Sequence, residues 1–390
     1  MGIIRLVYDT LLAIALVFVL PVWWYTYRKK GYSIGLLERF LLKKECVPKG
    51  SAWVHCASVG EINTALPVID HLKSKGDVFL TVFSPRAYRF AKDNLGIPVL
   101  FLPFDISFLV RKFINVYKPK VLIIEEAEFW LNLITVSSES IPVMSINTNP
   151  PKNKFLNRIV LKRISRFVVK TPKDMEILRR LVSEDRIVLC GNLKLLSKVN
   201  QKSVEIDLKG RRVILAGSTH PPEEDVILRI FKEVKTDFPD TLLMIAPRHT
   251  ERIGEVESLV KKYGFSYTQR STDRKPKGDV YLVDTLGELS SLYRYADVVF
   301  VGGTISKIGG HNIFEPILSG KKVIIGRNYH KIKGLVREAQ NFGAIWIVET
   351  EEQLKDSIKK QLREGSFNVD FSLIQRQIYD CYKKEIDRWI

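Results

Sequence analysis

The sequence lacks most of the short motifs that announce a chemistry by themselves. No G-x-x-x-x-G-K-[ST] occurs, which excludes a P-loop, and no G-x-G-x-x-G, which excludes the standard dinucleotide fingerprint. H-E-x-x-H is missing, and so is D-x-D, which argues against a metal-bridged nucleotide sugar. The four cysteines, Cys46, Cys56, Cys190 and Cys381, form no C-x-x-C pair. Neither a zinc site nor a disulfide framework is indicated, and reduced thiols in a cytosolic compartment are expected. There is no short-period repeat and no low-complexity segment. A metal-independent transferase and a binding protein both survive this screen.

Negative charge is also scarce. Lys and Arg total 61 against 43 Asp and Glu, for a net charge of +18. Such an excess points to an anionic partner: nucleic acid, an anionic membrane surface or a phosphorylated substrate. Hydrophobic content of 46% and charged content of 27% are the balance of a folded globular protein. At 390 residues, two domains are the default expectation.

One long apolar run is present, "LLAIALVFVLPVWWY", from Leu11 to Tyr25. It is short for a span of about twenty residues, and Asp9 before it and Pro21 within it weaken a clean span. It ends in Trp23-Trp24-Tyr25 and then Arg28-Lys29-Lys30. Interfacial aromatics followed by cations suit a retained anchor with its C-terminal flank in the cytoplasm, in preference to a cleaved signal peptide. A helix lying in the interface is the other form such an anchor can take.

Beyond this segment, apolar runs alternate with amphipathic ones. "AWVHCA", "VFLTVFS", "VLFLPFD", "VLIIEEAEF", "IPVMSIN", "RFVVKT" and "RIVLCGN" read as strands, with helices between them. Around Ser197 to Arg212 the chain turns polar and loses periodicity, which places a linker there. The pattern then restarts with "RRVILAGST", "LLMIAPRH", "VYLVD", "DVVFVGGT", "KKVIIG" and "AIWIV", and Ile374 to Ile390 reads as a long amphipathic helix. Alternation of this kind predicts an α/β protein with two parallel, doubly wound sheets, and ligands at the carboxyl ends of strands. The expected domains are an anchor at 1–30, a first α/β domain at 31–203, a second at 204–365 and a final helix at 366–390.

Several segments carry candidate chemistry. In "HCASVGEIN", Ser58-Val59-Gly60-Glu61 fits an S-x-x-E capping box, and it equally fits a carboxylate placed at a site mouth. "VLIIEEAEFW" puts Glu125, Glu126 and Glu128 at a strand end, where neighbouring like charges raise one pKa. "VGGTISKIGGHNIFEP" has two glycine pairs and a helix start near Asn312. Backbone amides there suit a phosphate, and Glu315 suits a ribose diol. "LAGSTHPPEED" offers Ser218 at a tight turn, and "APRHTER" offers Arg248 and His249 at a strand end, where Arg248 can neutralise a phosphate or carboxylate. "FLVRKFINVYKPK" and "FLNRIVLKRISRF" mix aromatics with cations, as membrane-surface helices do and as solvated helix faces also do. Nucleic-acid binding explains the charge but not the anchor.

The ordered set of an N-terminal anchor, "SVGE", "EAEFW", "GNLK", "PRH" and "GGHNIFEP" resembles the Kdo transferases, which add 3-deoxy-D-manno-octulosonic acid (Kdo) to the lipid A precursor. The resemblance runs across nearly the whole chain. It implies a GT-B fold, with a lobe for the acceptor, a lobe for the donor, a cleft between them and a final helix crossing back. It also implies CMP-Kdo as donor, the lipid A precursor as acceptor, no metal or cofactor, and a seat on the cytoplasmic face of the inner membrane. By motif, Glu61 becomes the general base and Glu126 the second acidic residue, with Ser58, Gly60 and Glu128 beside the acceptor. Lys194, Ser218, Arg248, His249, Gly309, Gly310, Asn312 and Glu315 fall to the donor. The implied reaction is inverting attack of the acceptor 6′-hydroxyl on the anomeric carbon of Kdo. Two departures stand out: Leu131 follows "EFW" where the family has proline, and "INTNPPKNK" lacks the Arg-rich "ARLS" pattern. Two other readings remain open at this stage: another GT-B enzyme using a UDP-sugar, and a membrane-tethered protein that binds nucleotides or anionic lipids without turnover.

Overall fold

The computed structural model describes residues 2–151, 155–196, 204–365 and 372–390. Contacts divide the chain into two units, Met1–Ser197 with Leu373–Ile390, and Lys198–Ser372. The N-terminal helix belongs to the first unit.

Unit 1 contains α1 (Gly2–Lys29), α2 (Leu36–Arg39), β1 (Ala52–Cys56), α3 (Val59–Lys75), β2 (Val78–Val82), α4 (Pro85–Asn94) and β3 (Val99–Phe101). It continues through α5 (Ser107–Tyr117), β4 (Val121–Glu125), α6 (Leu131–Ser137), β5 (Val143–Thr148), α7 (Phe155–Leu161), β6 (Arg166–Val169), α8 (Pro172–Arg179) and β7 (Ile187–Leu189). The seven strands are parallel in the order β3-β2-β1-β4-β5-β6-β7. β1, β2 and β4 are buried at every position. Burial on both faces is why they read as unbroken apolar runs and not as alternation. Trp53, Phe79, Phe113 and Phe167 fill the core. Each buried phenylalanine is worth about 2 kcal/mol relative to exposure.

Unit 2 contains β8 (Val213–Thr219), α9 (Glu223–Asp237), β9 (Leu242–Pro247), α10 (Ile253–Lys262), β10 (Tyr267–Gln269), β11 (Val280–Leu282) and α11 (Leu289–Leu292). It closes with β12 (Val298–Val301), α12 (Phe314–Leu318), β13 (Val323–Gly326), α13 (Lys333–Asn341), β14 (Ile345–Val348) and α14 (Glu351–Glu364). Its sheet is also parallel, in the order β10-β11-β9-β8-β12-β13-β14.

Several local expectations change. The second basic stretch is not one helix. α7 is a short helix, and Arg166 already opens strand β6. The first, α5, turns Leu109, Val110, Phe113, Ile114 and Tyr117 into the core, so its basic residues are the solvated face. α12 begins at Phe314, two residues later than expected, and has five residues. The final helix, α15 (Ser372–Ile386), packs on unit 1. The expectation of reduced thiols fails at two of the four cysteines: Cys190, just after β7, is disulfide-bonded to Cys381 on α15, with Cα atoms 5.5 Å apart. The same junction holds Tyr382 Oη donating to the Gly191 carbonyl at 2.9 Å and Arg166 Nε donating to Glu385 at 2.7 Å. Cys46 and Cys56 are free.

Candidate active site

In a doubly wound sheet, ligands bind where the strand order reverses, outside the carboxyl ends. In unit 1 that point lies between β1 and β4. The chain leaving β1 there is Ala57-Ser58-Val59-Gly60-Glu61, and the chain leaving β4 is Glu126-Ala127-Glu128. The two candidate carboxylate segments are thus brought together by the topology.

Ser58 caps α3: its Oγ accepts from the Glu61 amide at 3.3 Å. The Glu61 carboxylate folds back in turn. Oε2 accepts from the Ala57 amide at 2.6 Å, and Oε1 accepts from the Ser58 hydroxyl at 3.2 Å. This is a capping box displaced by one residue, because the amide it satisfies is that of Ala57 and not of Ser58 itself. Burial pushes the Glu61 carboxyl up to about 7, and the charges of Glu128 and Glu126 add to the rise; the bonds from Ala57 and Ser58 oppose it. Gly60 is exposed at the first turn, and a Cβ there would meet only Ser58 Oγ, at 3.8 Å.

Glu126 sits in the left-handed region at φ 55°, a strained conformation for a residue with a side chain. Its Oε1 lies 3.0 Å from Lys194 Nζ and 3.8 Å from Lys170 Nζ, and its Oε2 accepts from Asn149 at 3.3 Å. Lys194 therefore stands beside Glu126 in unit 1. Glu128 accepts from the Trp130 indole at 2.6 Å. Residues 152–154 of the "INTNPPKNK" loop lie outside the described residues.

Two further residues belong to this cluster that the motifs do not single out. Glu125 is fully buried; its Oε1 accepts from Asn147 Nδ2 at 2.9 Å, and its Oε2 has no partner. Burial drives this carboxyl well above its ordinary range, and the Glu126 and Glu61 charges push the same way. Lys170, the residue after β6, is pulled down by burial. Its sequence signal was its place in "RFVVKT", where a lone cation ends an apolar strand at the ligand edge.

In unit 2 the order reverses between β8 and β12. Ser218, Arg248, Asn312 and Glu315 line one cavity of about 300 Å³ there, together with Thr285, Tyr293 and His311. Ser218 is held at φ 55°. Glu315 accepts from Asn312 Nδ2 at 3.0 Å, and burial raises its carboxyl. Arg248 is exposed. Among the described residues, no carboxylate lies within ion-pair distance of it. His249, Gly309 and Gly310 are not part of this lining.

The glycine-rich segment needs a different account from the one its sequence suggests. The amides of Gly303, Thr304, Ile305 and Ser306 point at an anion, but the anion is Glu223, whose buried carboxylate accepts from them at 2.8–3.2 Å and from the His220 amide at 2.9 Å. The Gly309 and Gly310 amides both donate to the Gly303 carbonyl, at 2.9 and 2.7 Å. Their φ values of 104° and 93° and the closeness of His330 and Ile332 explain the glycines without a ligand. Asn312 Oδ1 accepts from the Phe314 amide at 3.0 Å. Three imidazoles gather at the cavity edge. His220 Nε2 and His311 Nε2 are 2.8 Å apart, with His249 edge-on to His220. Burial takes His311 down to about 4, helped by His220 and Arg248, so it is neutral at pH 7.

Residues 35–197 match the family model described as 3-deoxy-D-manno-octulosonic-acid transferase (kdotransferase). A 3-deoxy-D-manno-octulosonic acid transferase of Aquifex aeolicus is 35% identical over 360 residues, covering 91% of this chain and 98% of that one. The chain belongs to the Kdo transferase family. It is a glycosyltransferase, and the resemblance carried by its motifs holds at the level of the family. The UDP-GlcNAc 2-epimerase from Neisseria meningitidis bound to UDP-GlcNAc superposes with a TM-score of 0.59 at 14% identity, over 87% of this chain and 98% of that one. MurG of Acinetobacter baumannii gives 0.52 at 12% identity, over 86% and 100%. These two likenesses show the fold alone, which is GT-B.

Proposed function

We propose that this Kdo transferase moves Kdo from CMP-Kdo to the 6′-hydroxyl of the tetraacylated lipid A precursor, lipid IVA, with inversion and with Glu61 as general base. The observation that carries the reading is the place of Glu61, a carboxyl at the reversal point of its sheet next to the chain leaving β4, where burial pushes it up to about 7. A base works best with a pKa close to the working pH. The cap and the base are compatible because the two oxygens divide the work. Oε2 satisfies the Ala57 amide in a short bond. Oε1, with only the longer bond from Ser58, takes the hydroxyl proton. As the acceptor oxygen bonds to the anomeric carbon, the bond from that carbon to the CMP phosphate oxygen breaks, and CMP leaves with the electron pair. Ser218 and Arg248 in unit 2 are assigned to its charge, and Asn312 and Glu315 to the ribose. Glu126, Glu128, Ser58 and Gly60 are assigned to the acceptor and Lys194 and His249 to the donor, while Gly309 and Gly310 serve the donor only through the turn that presents His311 and Asn312. The reading assigns the enzyme to the cytoplasmic face of the inner membrane, with the N-terminal helix as its anchor.

The test is mass spectrometry of the lipid after the full chain is incubated with CMP-Kdo and lipid IVA. A mass gain of one or more Kdo units is expected, with competition by CMP and not by UDP. Unchanged lipid with the intact enzyme would sink the substrate assignment.

A further inference from the structure

α1 is seated on unit 1 along most of its length. Ile4 and Tyr8 pack against the core of that unit. Leu12, Leu16, Leu20, Trp23 and Tyr27 follow at steps of three or four residues, each half-buried, while Leu6, Leu11, Ile14, Val17, Phe18 and Val22 are exposed. Polar contacts pin the N-terminal half. Arg5 Nε donates to Thr135 Oγ1 at 3.2 Å, and the Arg5 guanidinium pairs with Glu139, which also holds Arg111 at 3.0 Å. Asp9, which looks in the sequence like a flaw in a membrane segment, accepts from the Ser107 amide at 3.1 Å and from Asn132 Nδ2 at 2.6 Å.

The other end is fixed by rings. Trp23 stacks on Phe83 with centroids 5.5 Å apart, and Phe83 stacks on Trp130 at the same distance. Trp130 is the residue that donates to Glu128. Beneath the stack, fully buried Arg39 donates to the carbonyls of Ile34, Leu102 and Phe83, and its guanidinium lies 5.1 Å from the Trp23 ring centroid. A continuous path of contacts thus joins the N-terminal helix to the acidic cluster.

These contacts conflict with a spanning helix. Arg5 and Trp23 are separated by about 27 Å along an α-helix at 1.5 Å per residue, close to the thickness of a bilayer's hydrocarbon layer. A span that put Trp23 at one interface would put Arg5 at the other. Thr135, Glu139 and Arg111 would have to follow it through lipid, which excludes charged surface. Otherwise the seat would have to open, exposing Ile4 and Tyr8 and removing Trp23 from Arg39. A helix in the plane of the membrane needs one apolar face and one face turned to something polar. Here unit 1 takes the place of the polar face. Arg28 and Lys29 over the Trp24 and Tyr25 rings are cation–aromatic pairs of the kind found at headgroup depth.

We propose that α1 lies along one bilayer leaflet as the membrane-facing edge of unit 1, with its outer face among acyl chains and the Glu61 and Glu128 cluster opening at headgroup level. The site then meets a lipid acceptor whose chains remain in the membrane. The inference does not depend on which lipid that is.

Labelling decides it. Cys56 is buried and Cys190 and Cys381 are bonded, so C46S removes the exposed free thiol. In that background G2C and K30C are made singly and exposed, in sealed inner-membrane vesicles of known orientation, to a membrane-impermeant maleimide. Seating in the plane gives labelling of both positions from the same side. Labelling of position 2 from the far side, or from neither side, overturns the proposal. Recovery of the full chain as a soluble dimer also overturns it, because a second copy would then cover the apolar face.

Discussion

A glutamate in the first turn of a helix is normally more acidic than a free one, because the helix dipole and the amide it accepts from both favour the anion. Glu61 has both influences and still titrates near neutrality, since burial and the Glu128 and Glu126 charges outweigh them. The rate should follow this group. The base must be ionised to act, so kcat/KM should fall as pH drops through about 7. Glu128→Gln removes a negative neighbour, which lowers the proton affinity of Glu61 and moves the acidic limb to lower pH. A pH profile of the two enzymes checks the sign, and a limb that stays in place would remove Glu128 from the account. Glu61→Gln should cost about a hundred- to ten-thousand-fold in kcat, the usual range for a lost general base, with CMP-Kdo affinity unchanged by calorimetry. The motif around Glu61 was legible in the sequence; its altered acidity was not, because burial depends on what the fold places around it. The reverse holds at Glu223. Its acidic first turn was visible, but nothing local says that it fills the glycine-rich amide cradle that looks made for a phosphate.

At the scale of the element, α3 shows how a functional turn differs from a merely structural one. Its first turn is capped by Ser58 and stapled by Glu61, so Gly60 is not required by the helix. Nothing in the protein crowds a Cβ there, and alanine is the better helix former by up to about 1 kcal/mol. Gly60→Ala should therefore keep or raise the melting temperature while raising KM for the acceptor, if the acceptor lies against that turn. An unchanged KM would take Gly60 out of the acceptor surface. α15 makes a different point. Its amphipathic pattern was readable, but its pairing through Cys381 was not, since 191 residues separate the two cysteines and only the fold brings them together. The loop closed by this bond includes the whole of unit 2. Cys381→Ser should cost about 2–4 kcal/mol of stability, a typical value for a native disulfide. Reductant should lower the melting temperature of the parent protein and leave that of the variant unmoved. α7 and α12 begin or end inside their sequence patterns because Arg166 is taken up in strand pairing and Asn312 in a turn, where its Oδ1 accepts from the Phe314 amide.

The architecture of the whole molecule was legible because parallel strands buried on both faces leave unbroken apolar runs, and because helices alternate with them. Strand order within a sheet leaves no such trace, and it is strand order that puts Glu61 beside Glu126 and Ser218 beside the glycine-rich turn. The overall charge acts at this scale too. A net charge of +18 attracts the chain to an anionic surface, but only over the screening length, about 10 Å at 0.1 M salt and about 3 Å at 1 M. The exposed face of α1 works through apolar burial, which salt does not screen. The two contributions can be separated by cosedimentation with anionic vesicles. The full chain should bind more weakly as salt rises from about 0.1 to 1 M and then level off with a retained fraction. A chain lacking residues 2–30, shown by circular dichroism to keep its fold, should be released completely over the same range. If the full chain is also released completely, charge alone holds the enzyme to the membrane, and the outer face of α1 is not in lipid.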